Sequence, residues 1–215
     1  MKNLFSFLRQ TIKGKTLYRI LFQFRLLKHG KYIKGKVLDI GAGKAPSYIG
    51  FLPEDITYIK TDFGSDDKDV FLDFNKVFPY ENESFDTVFL FHNLYIAEDP
   101  GFVLKEVARV LQKDGHLLVS NPFAVNEMPE PHDYQRHTKE GIESLFEKQS
   151  FEIVLGERIG ERFSVFAYSL HTLLLFWPIR LVVNTFALFF DMLIPKKIKT
   201  NYPLPIGYFY VGRKK

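Results

Sequence analysis

Apolar positions recur along this chain with two periods. Residues 3–29 carry bulky apolar side chains at helical spacing, with Gly14 as a break and Gly30 as a stop, and predict one or two amphipathic helices. After them come short β-branched and aliphatic runs at 36–40, 56–62, 70–73, 85–91, 116–120, 151–155 and 208–213. Each has strand character. The run Phe85-Asp86-Thr87-Val88-Phe89-Leu90-Phe91 is apolar almost throughout, as a central strand covered on both faces must be. Helical periodicity returns at 101–111, through Phe102, Val103, Val107, Val110 and Leu111, and at 138–149, where Thr138 is the predicted N-cap. Strands alternating with helical segments predict βαβ units and a parallel sheet with helices on both faces.

One stretch breaks this pattern. From 163 to 194 the chain is strongly apolar, and no charged residue occurs from 163 to 179 if His171 is neutral. As a helix those residues would span roughly 25 Å, short of the roughly 30 Å of a bilayer core, and Pro178 and Arg180 stop the run. Arg180, Asn184 and Asp191 then form one narrow polar stripe on an apolar helix. That arrangement predicts helices lying in a membrane interface or covering a hydrophobic cleft, with a larger core or a homodimer interface as the competing use.

Composition adds limits. A chain of 215 residues with 46% hydrophobic content suits a single core. With no cysteine there is no disulfide framework and no thiol nucleophile, and a reducing, cytoplasmic setting is expected. Ten of the 29 Lys and Arg residues fall within 1–36, where there is no acid, which leaves 19 basic against 25 acidic residues beyond. The expected organisation is a basic amphipathic arm at 1–35 and a catalytic domain at 36–215 that includes the apolar insertion 163–199. A basic arm favours an anionic surface, here the inner face of a membrane, unless it is a solvated helix face. Nothing in the arm reads as a secretory signal.

The chemistry gathers at strand ends. Val37-Leu38-Asp39-Ile40-Gly41-Ala42-Gly43-Lys44 is a strand running into Gly-x-Gly and then, by expectation, into a helix. Glycines there permit positive φ and let a ligand approach bare main chain. Asp62 ends the second predicted strand, 21 residues after Gly41, where a carboxylate can accept from both hydroxyls of an adenosine ribose. A dinucleotide fold calls for a third glycine, and Pro46 stands there, which counts against a nicotinamide oxidoreductase. No P-loop follows either.

At this point the chain resembles the class I S-adenosylmethionine-dependent methyltransferases, the type 11 group in particular, from about residue 37 to 214. Val37-Leu38-Asp39-Ile40-Gly41-Ala42-Gly43 resembles the cofactor loop, and Asp62 the ribose-binding acid. Asp73-Phe74, ahead of Phe78-Pro79 and Ser84-Phe85-Asp86-Thr87-Val88, resembles the adenine-contacting block. Phe91-His92-Asn93-Leu94 stands where the fourth predicted strand meets the cofactor, and Val107-Ala108-Arg109-Val110-Leu111-Gln112-Lys113-Asp114-Gly115 resembles a characteristic helix end. The resemblance implies a Rossmann-like, doubly wound sheet of seven strands, mostly parallel with the last antiparallel, with N-terminal helices and the apolar insertion between strands six and seven. It implies S-adenosylmethionine held by Asp39, Gly41, Ala42, Gly43, Asp62, Asp73, Phe74 and Phe91. Two departures stand out: Ala45-Pro46 where the family commonly has a further glycine, and Tyr95-Ile96 where it has Glu-His.

The segment Pro131-His132-Asp133-Tyr134-Gln135-Arg136-His137-Thr138 follows the fifth predicted strand at the same edge. It reads as a substrate rim built from His132, Tyr134, Arg136 and His137, or as a plain helix entry with Asp133 paired to Arg136. No third ligand accompanies the two imidazoles, and no metal is expected. If an oxygen acceptor needs a base, His92 and His132 are the candidates. The acceptor itself is expected to be a small molecule or lipid-like. Nucleic acid is disfavoured, because Asn121-Pro122-Phe123 follows the fifth strand rather than the fourth. A scaffold that kept the fold and lost the chemistry is the competing class.

Overall fold

The computed structural model describes residues 2–43, 45–64, 71–129 and 132–215. Its elements in chain order are α1 (Lys2–Ile12), α2 (Leu17–Lys28), β1 (Lys36–Asp39), β2 (Thr57–Lys60), β3 (Phe85–Phe91), α3 (Pro100–Val110), β4 (Leu111–Pro122), α4 (Lys139–Lys148), β5 (Phe151–Ile159), α5 (Arg162–Ser169), α6 (Trp177–Leu193), α7 (Lys196–Asn201) and β6 (Gly207–Lys214). Caps mark the helix starts. Thr16, Asp99 and Thr138 accept from the backbone N–H of Arg19, Phe102 and Gly141 at 3.3, 3.1 and 3.2 Å.

The six strands form one sheet in the order β2-β1-β3-β4-β6-β5. The pairings β1–β2, β1–β3 and β3–β4 are parallel, and β6 runs antiparallel to both β4 and β5. A doubly wound sheet with a reversed last strand is therefore present, with six strands among the described residues rather than the seven expected. The missing one is the predicted strand at 70–73. Of it, Phe71 makes a single bridge to Asp62, and residue 70 lies outside the described residues. Among the described residues that bridge does not continue into a ladder.

Strand residues alternate between two cores, as the two-residue repeat requires. Leu38, Val88, Leu90, Leu117 and Val119 point to one side, under Val103, Leu104 and Val107 of α3 and Ile142 and Phe146 of α4. Val37, Phe89, Phe91, Leu118, Phe209 and Val211 point to the other side. That second face is covered differently from the βαβ expectation. No α-helix follows β1: among the described residues between β1 and β2 there is only a 3₁₀ turn, Ile49–Phe51. Pro46 and Pro53 each lack an N–H, and the stretch between them is too short for a stable helix. In its place α2 lies on the sheet and buries Tyr18, Phe22 and Leu26. Each such side chain contributes about 1.5–3 kcal/mol by leaving water, so the N-terminal basic segment is part of the core.

The apolar insertion forms α5, α6 and α7. A third small core joins Phe7 of α1, Leu17 and Ile20 of α2, Ala167 of α5 and Ala187 of α6. The polar stripe of α6 faces inward: Arg180, Asn184 and Asp191 are its buried residues together with Ala187. Asp191 accepts from the backbone N–H of Glu161, Phe163 and Ser164 at 3.1, 2.9 and 3.1 Å and from Ser164 Oγ at 2.5 Å. It caps the start of α5, where orphan N–H groups and the helix dipole favour a carboxylate. Arg180 donates to Leu174 O at 3.0 and 2.6 Å and to Thr11 O at 3.3 Å. The outer face of α6 is consequently apolar and bare, with Ile179, Val182, Phe186, Phe189 and Met192 exposed, Met192 by 79%. No helix among the described residues is long and apolar enough to cross a membrane.

Candidate active site

Parallel strands leave a crevice beyond their carboxyl ends where their connections diverge. Here β1 ends at the glycine loop, β3 ends at Phe91-His92, and β4 ends at Pro122. Around these ends lies a cleft of about 580 Å³, lined by Gly41, Ala42, Gly43, Tyr48, Phe91, His92, Tyr95, Val125 and Met128, with Lys13, Lys15 and Arg19 from the α1–α2 region and Tyr168 from α5.

The glycine loop has two residues in left-handed conformation, for different reasons. Gly41 has φ +67°, and a Cβ there would meet Asn93 Nδ2 at 2.8 Å. That amide donates to Ile40 O and ties the loop to the end of β3. Gly43 has φ +73°, and a Cβ there would enter open space. The space over Gly43 is the bare main-chain cradle that a ligand needs. Ala42 donates its N–H to Thr61 O at 2.8 Å, which sets Asp62 beside the loop. Gly41 and Gly43 line the cleft, whereas Asp62 does not, and its Oδ1 accepts from Gly64 N at 3.4 Å.

Asp39 is fully buried beneath this loop. Its Oδ2 accepts from Tyr48 Oη at 2.6 Å and Tyr58 Oη at 2.5 Å, and its Oδ1 has no partner. Burial pushes its carboxyl up to about 7, against the opposite pull of the two phenols. A group protonated more readily when folded loses its stabilising effect as pH rises. Between about pH 4 and pH 7 the wild-type fold is expected to lose stability from this residue, and Asp39→Asn should remove that slope in denaturant titrations across the same range.

His92 carries the strained backbone of the site, with φ +60° at the very end of β3. Its Nδ1 lies 3.1 Å from Tyr18 Oη, which lies 3.1 Å from Ser120 Oγ, and its buried Nε2 has no partner. Burial first, and the charge of Arg19 second, pull its pKa down to about 3. It is neutral at physiological pH and too weak a base to hold a proton there. Asn93 Oδ1 is a third buried polar atom without a partner.

The other sequence-predicted residues lie in several places. Phe91 lines the cleft and meets Phe22 and Tyr48 edge-on. Asp73 pairs with Lys76 at 2.9 Å and accepts from Asn75 N at 3.1 Å, while Phe74 is buried in the α3 core and its ring lies 6.4 Å from that of Phe63. His132, Tyr134 and Arg136 line a second cavity of about 570 Å³, with His132 stacked on Tyr134 at 5.2 Å. Arg136 pairs with Asp133 through both Nη atoms and sits 5.0 Å over the Tyr95 ring. His137 is buried at the end of β4 beside Asn121, lines neither cavity, and has its pKa lowered by burial. His92 and His132 therefore belong to different cavities. Pro131 lies outside the described residues.

Sequence reasoning missed the cleft's outer wall. Tyr18, Lys13, Lys15 and Arg19 read as parts of an arm, and only the packing of α2 brings them over the glycine loop. For Tyr48 there was a faint signal: a lone tyrosine five residues after Gly43, within reach of a buried carboxylate.

Residues 38–119 match the family model described as a methyltransferase domain, the type 11 group. Structural likeness covers more of the chain. An S-adenosylmethionine-dependent methyltransferase from Archaeoglobus fulgidus aligns with a TM-score of 0.61 over 91% of this chain and 94% of its own, at 16% identity. The YcgJ protein of Bacillus subtilis aligns with a TM-score of 0.55 over 90% and 97%, at 14% identity. A Haloferax volcanii protein solved with the Trm112 methyltransferase activator gives 0.51 over 83% and 81%, at 18% identity. No curated protein matches the sequence. The matched segment runs from β1 through most of β4 and contains the glycine loop, Asp62 and His92. The match to a methyltransferase domain is thus confined to residues 38–119, and the fold of the whole chain is that of the class I S-adenosylmethionine-dependent methyltransferases it aligns with.

The site fits that cofactor on its own evidence. Open space lies over Gly43, and three buried polar atoms, Asp39 Oδ1, Asn93 Oδ1 and His92 Nε2, lack partners at the ends of β1 and β3. A ligand carrying several hydrogen-bonding groups answers those atoms. When bound, S-adenosylmethionine supplies an electrophilic methyl group on a sulfonium. The protein's part would then be to position an acceptor and exclude water, effects that reach about 7–11 kcal/mol when the geometry is right.

Proposed function

We propose that this enzyme transfers a methyl group to a small-molecule or lipid-like acceptor while docked on a membrane surface. Gly41, Ala42, Gly43, Asp39 and Asn93 hold the donor, with Asp62 taking its ribose hydroxyls and Asp73 and Phe74 bordering the adenine. Tyr95, Tyr168 and Met128 shape the acceptor side. His92 serves as a neutral hydrogen-bonding group rather than a proton store. His132, Tyr134 and Arg136 form a rim in the second cavity.

The observation that carries the membrane reading is the inversion of α6. An ordinary surface helix buries its apolar stripe and exposes its polar one. Here Arg180, Asn184 and Asp191 are buried and the aromatic and aliphatic side is exposed. α1 continues the surface with exposed Leu4, Phe5, Leu8 and Ile12. Contiguous apolar surface on this scale marks an interaction site. Lys196, Lys197 and Lys199 of α7 border it, and each cation near an anionic leaflet adds about 1 kcal/mol.

Flotation tests this. At low salt the protein is expected to rise with vesicles of phosphatidylcholine and phosphatidylglycerol, to release as salt screens the cations, and to float poorly as Phe186→Ser/Phe189→Ser. A protein that stays at the bottom of the gradient and sediments as a stable dimer would instead assign the apolar face to a second copy of the chain.

A further inference from the structure

We propose that the methyl acceptor is an anionic amphiphile, its acid group held by Lys13, Lys15 and Arg19 at the cleft mouth and its apolar chain lying along the turn after α5 and the start of α6. This rests on the methyl-transfer reading above and names the substrate class for that site.

Charge at the cleft is one-sided. Among the described residues its walls include Lys13, Lys15 and Arg19, and no Asp or Glu. None of the three cations forms an ion pair with an acid among the described residues, whereas neighbouring Arg136 is neutralised by Asp133. The field of Arg19 is felt at His92, Tyr95 and Tyr168 on the cleft walls. Uncompensated cations beside an aromatic, low-dielectric wall concentrate anions.

An apolar track leaves the same mouth, and this second observation points to an amphiphile rather than a bare anion. Tyr168 of α5 lines the cleft, one residue before the helix ends at Ser169. The turn after α5 exposes Leu173, Leu175 and Phe176, Leu175 by 85%. Arg180 ties the start of α6 to the cationic segment: its Nη1 reaches Thr11 O at 3.3 Å and lies where a Cβ on Gly14 would touch it. Cationic mouth and apolar track are thus joined at one seam. A polar acceptor would leave that track bare, and a neutral lipid would leave the cations unanswered.

The chain carries a built-in reporter, because Trp177, its only tryptophan, stands at the start of α6 on the track. With S-adenosylhomocysteine saturating, three probes are titrated below their micellar limits: dodecyl phosphate, neutral dodecyl maltoside and inorganic phosphate. Dodecyl phosphate is expected to shift Trp177 emission to the blue and to bind about tenfold or more tightly than either control. Lys13→Gln/Lys15→Gln/Arg19→Gln should erase that advantage while S-adenosylhomocysteine still binds as in the wild type. Equal binding of the charged and neutral dodecyl probes overturns the proposal, as does inorganic phosphate binding as tightly as dodecyl phosphate. Loss of S-adenosylhomocysteine binding in the triple variant also overturns it, by assigning the cations to the cofactor. If the wild type fails to bind S-adenosylhomocysteine at all, it is the methyl-transfer reading that fails.

Discussion

Gly43→Val is expected to weaken S-adenosylmethionine binding by about 100-fold or more, roughly 2.7 kcal/mol or above, while the protein still folds. The open space over Gly43 accepts the new side chain without a clash, so only backbone strain at φ +73° opposes folding. That strain costs about 1–2 kcal/mol for a residue with a Cβ, a shift in melting temperature of about 2–8 °C for a chain of this size. The same space is where the donor must approach the main chain, and two methyl groups fill it. Gly41→Ala should behave in the opposite sense. Its Cβ would lie 2.8 Å from Asn93 Nδ2 and displace the amide that ties the loop to β3. There the larger loss is in stability, about 2–3 kcal/mol from strain plus a broken buried hydrogen bond. Calorimetric titration with S-adenosylhomocysteine and a thermal melt separate the two variants. Wild-type affinity in Gly43→Val would show that the donor does not lie over this loop.

The contrast between these two glycines also shows how far a sequence can be read. A strand ending in Gly-x-Gly announces that both positions need conformational freedom, and both have positive φ. It does not say which glycine is hemmed in by a neighbour and which faces a cavity, because Asn93 lies 52 residues away from Gly41. The same division holds elsewhere. Val88-Phe89-Leu90-Phe91 could be read as a strand covered on both faces, since every residue in it is apolar. What covers the second face could not be read, because α2 substitutes for a helix that Pro46 and Pro53 prevent. The predicted strand at 70–73 looked like the others in composition, and only the lack of a continuing partner reduces it to one bridge. His137 shared a polar cluster with His132, but the end of β4 buries it. Helical spacing placed Arg180, Asn184 and Asp191 on one stripe, yet periodicity states which residues share a face and not which way the face points.

Asp191→Ala is expected to be the most destabilising single change in the insertion, at about 3–5 kcal/mol. Asp191 answers three backbone N–H groups and the Ser164 hydroxyl at the start of α5, where Ser164 is fully buried and Glu161 and Phe163 are not. Alanine leaves the two buried donors of Ser164 without a partner, and each buried unsatisfied group costs about 1–3 kcal/mol. Asp191→Asn would be a poor rescue, since it removes the charge that the helix start favours and turns N–H donors toward N–H donors. Met192→Ala, one residue on, removes a side chain already in water and should change stability by less than about 0.5 kcal/mol in solution. Urea titration of Asp191→Ala and Met192→Ala reads the difference, and amide exchange at 161–165 should rise in Asp191→Ala before the sheet opens. An Asp191→Ala protein within about 1 kcal/mol of wild type would mean that α5 is held by packing alone. The functional consequence follows from connectivity. α5 carries Tyr168 into the cleft and the exposed track that leaves it, so loosening its start should reduce acceptor turnover while donor affinity at the glycine loop is kept. A carboxylate far from that loop in sequence thereby holds the wall against which the acceptor is positioned.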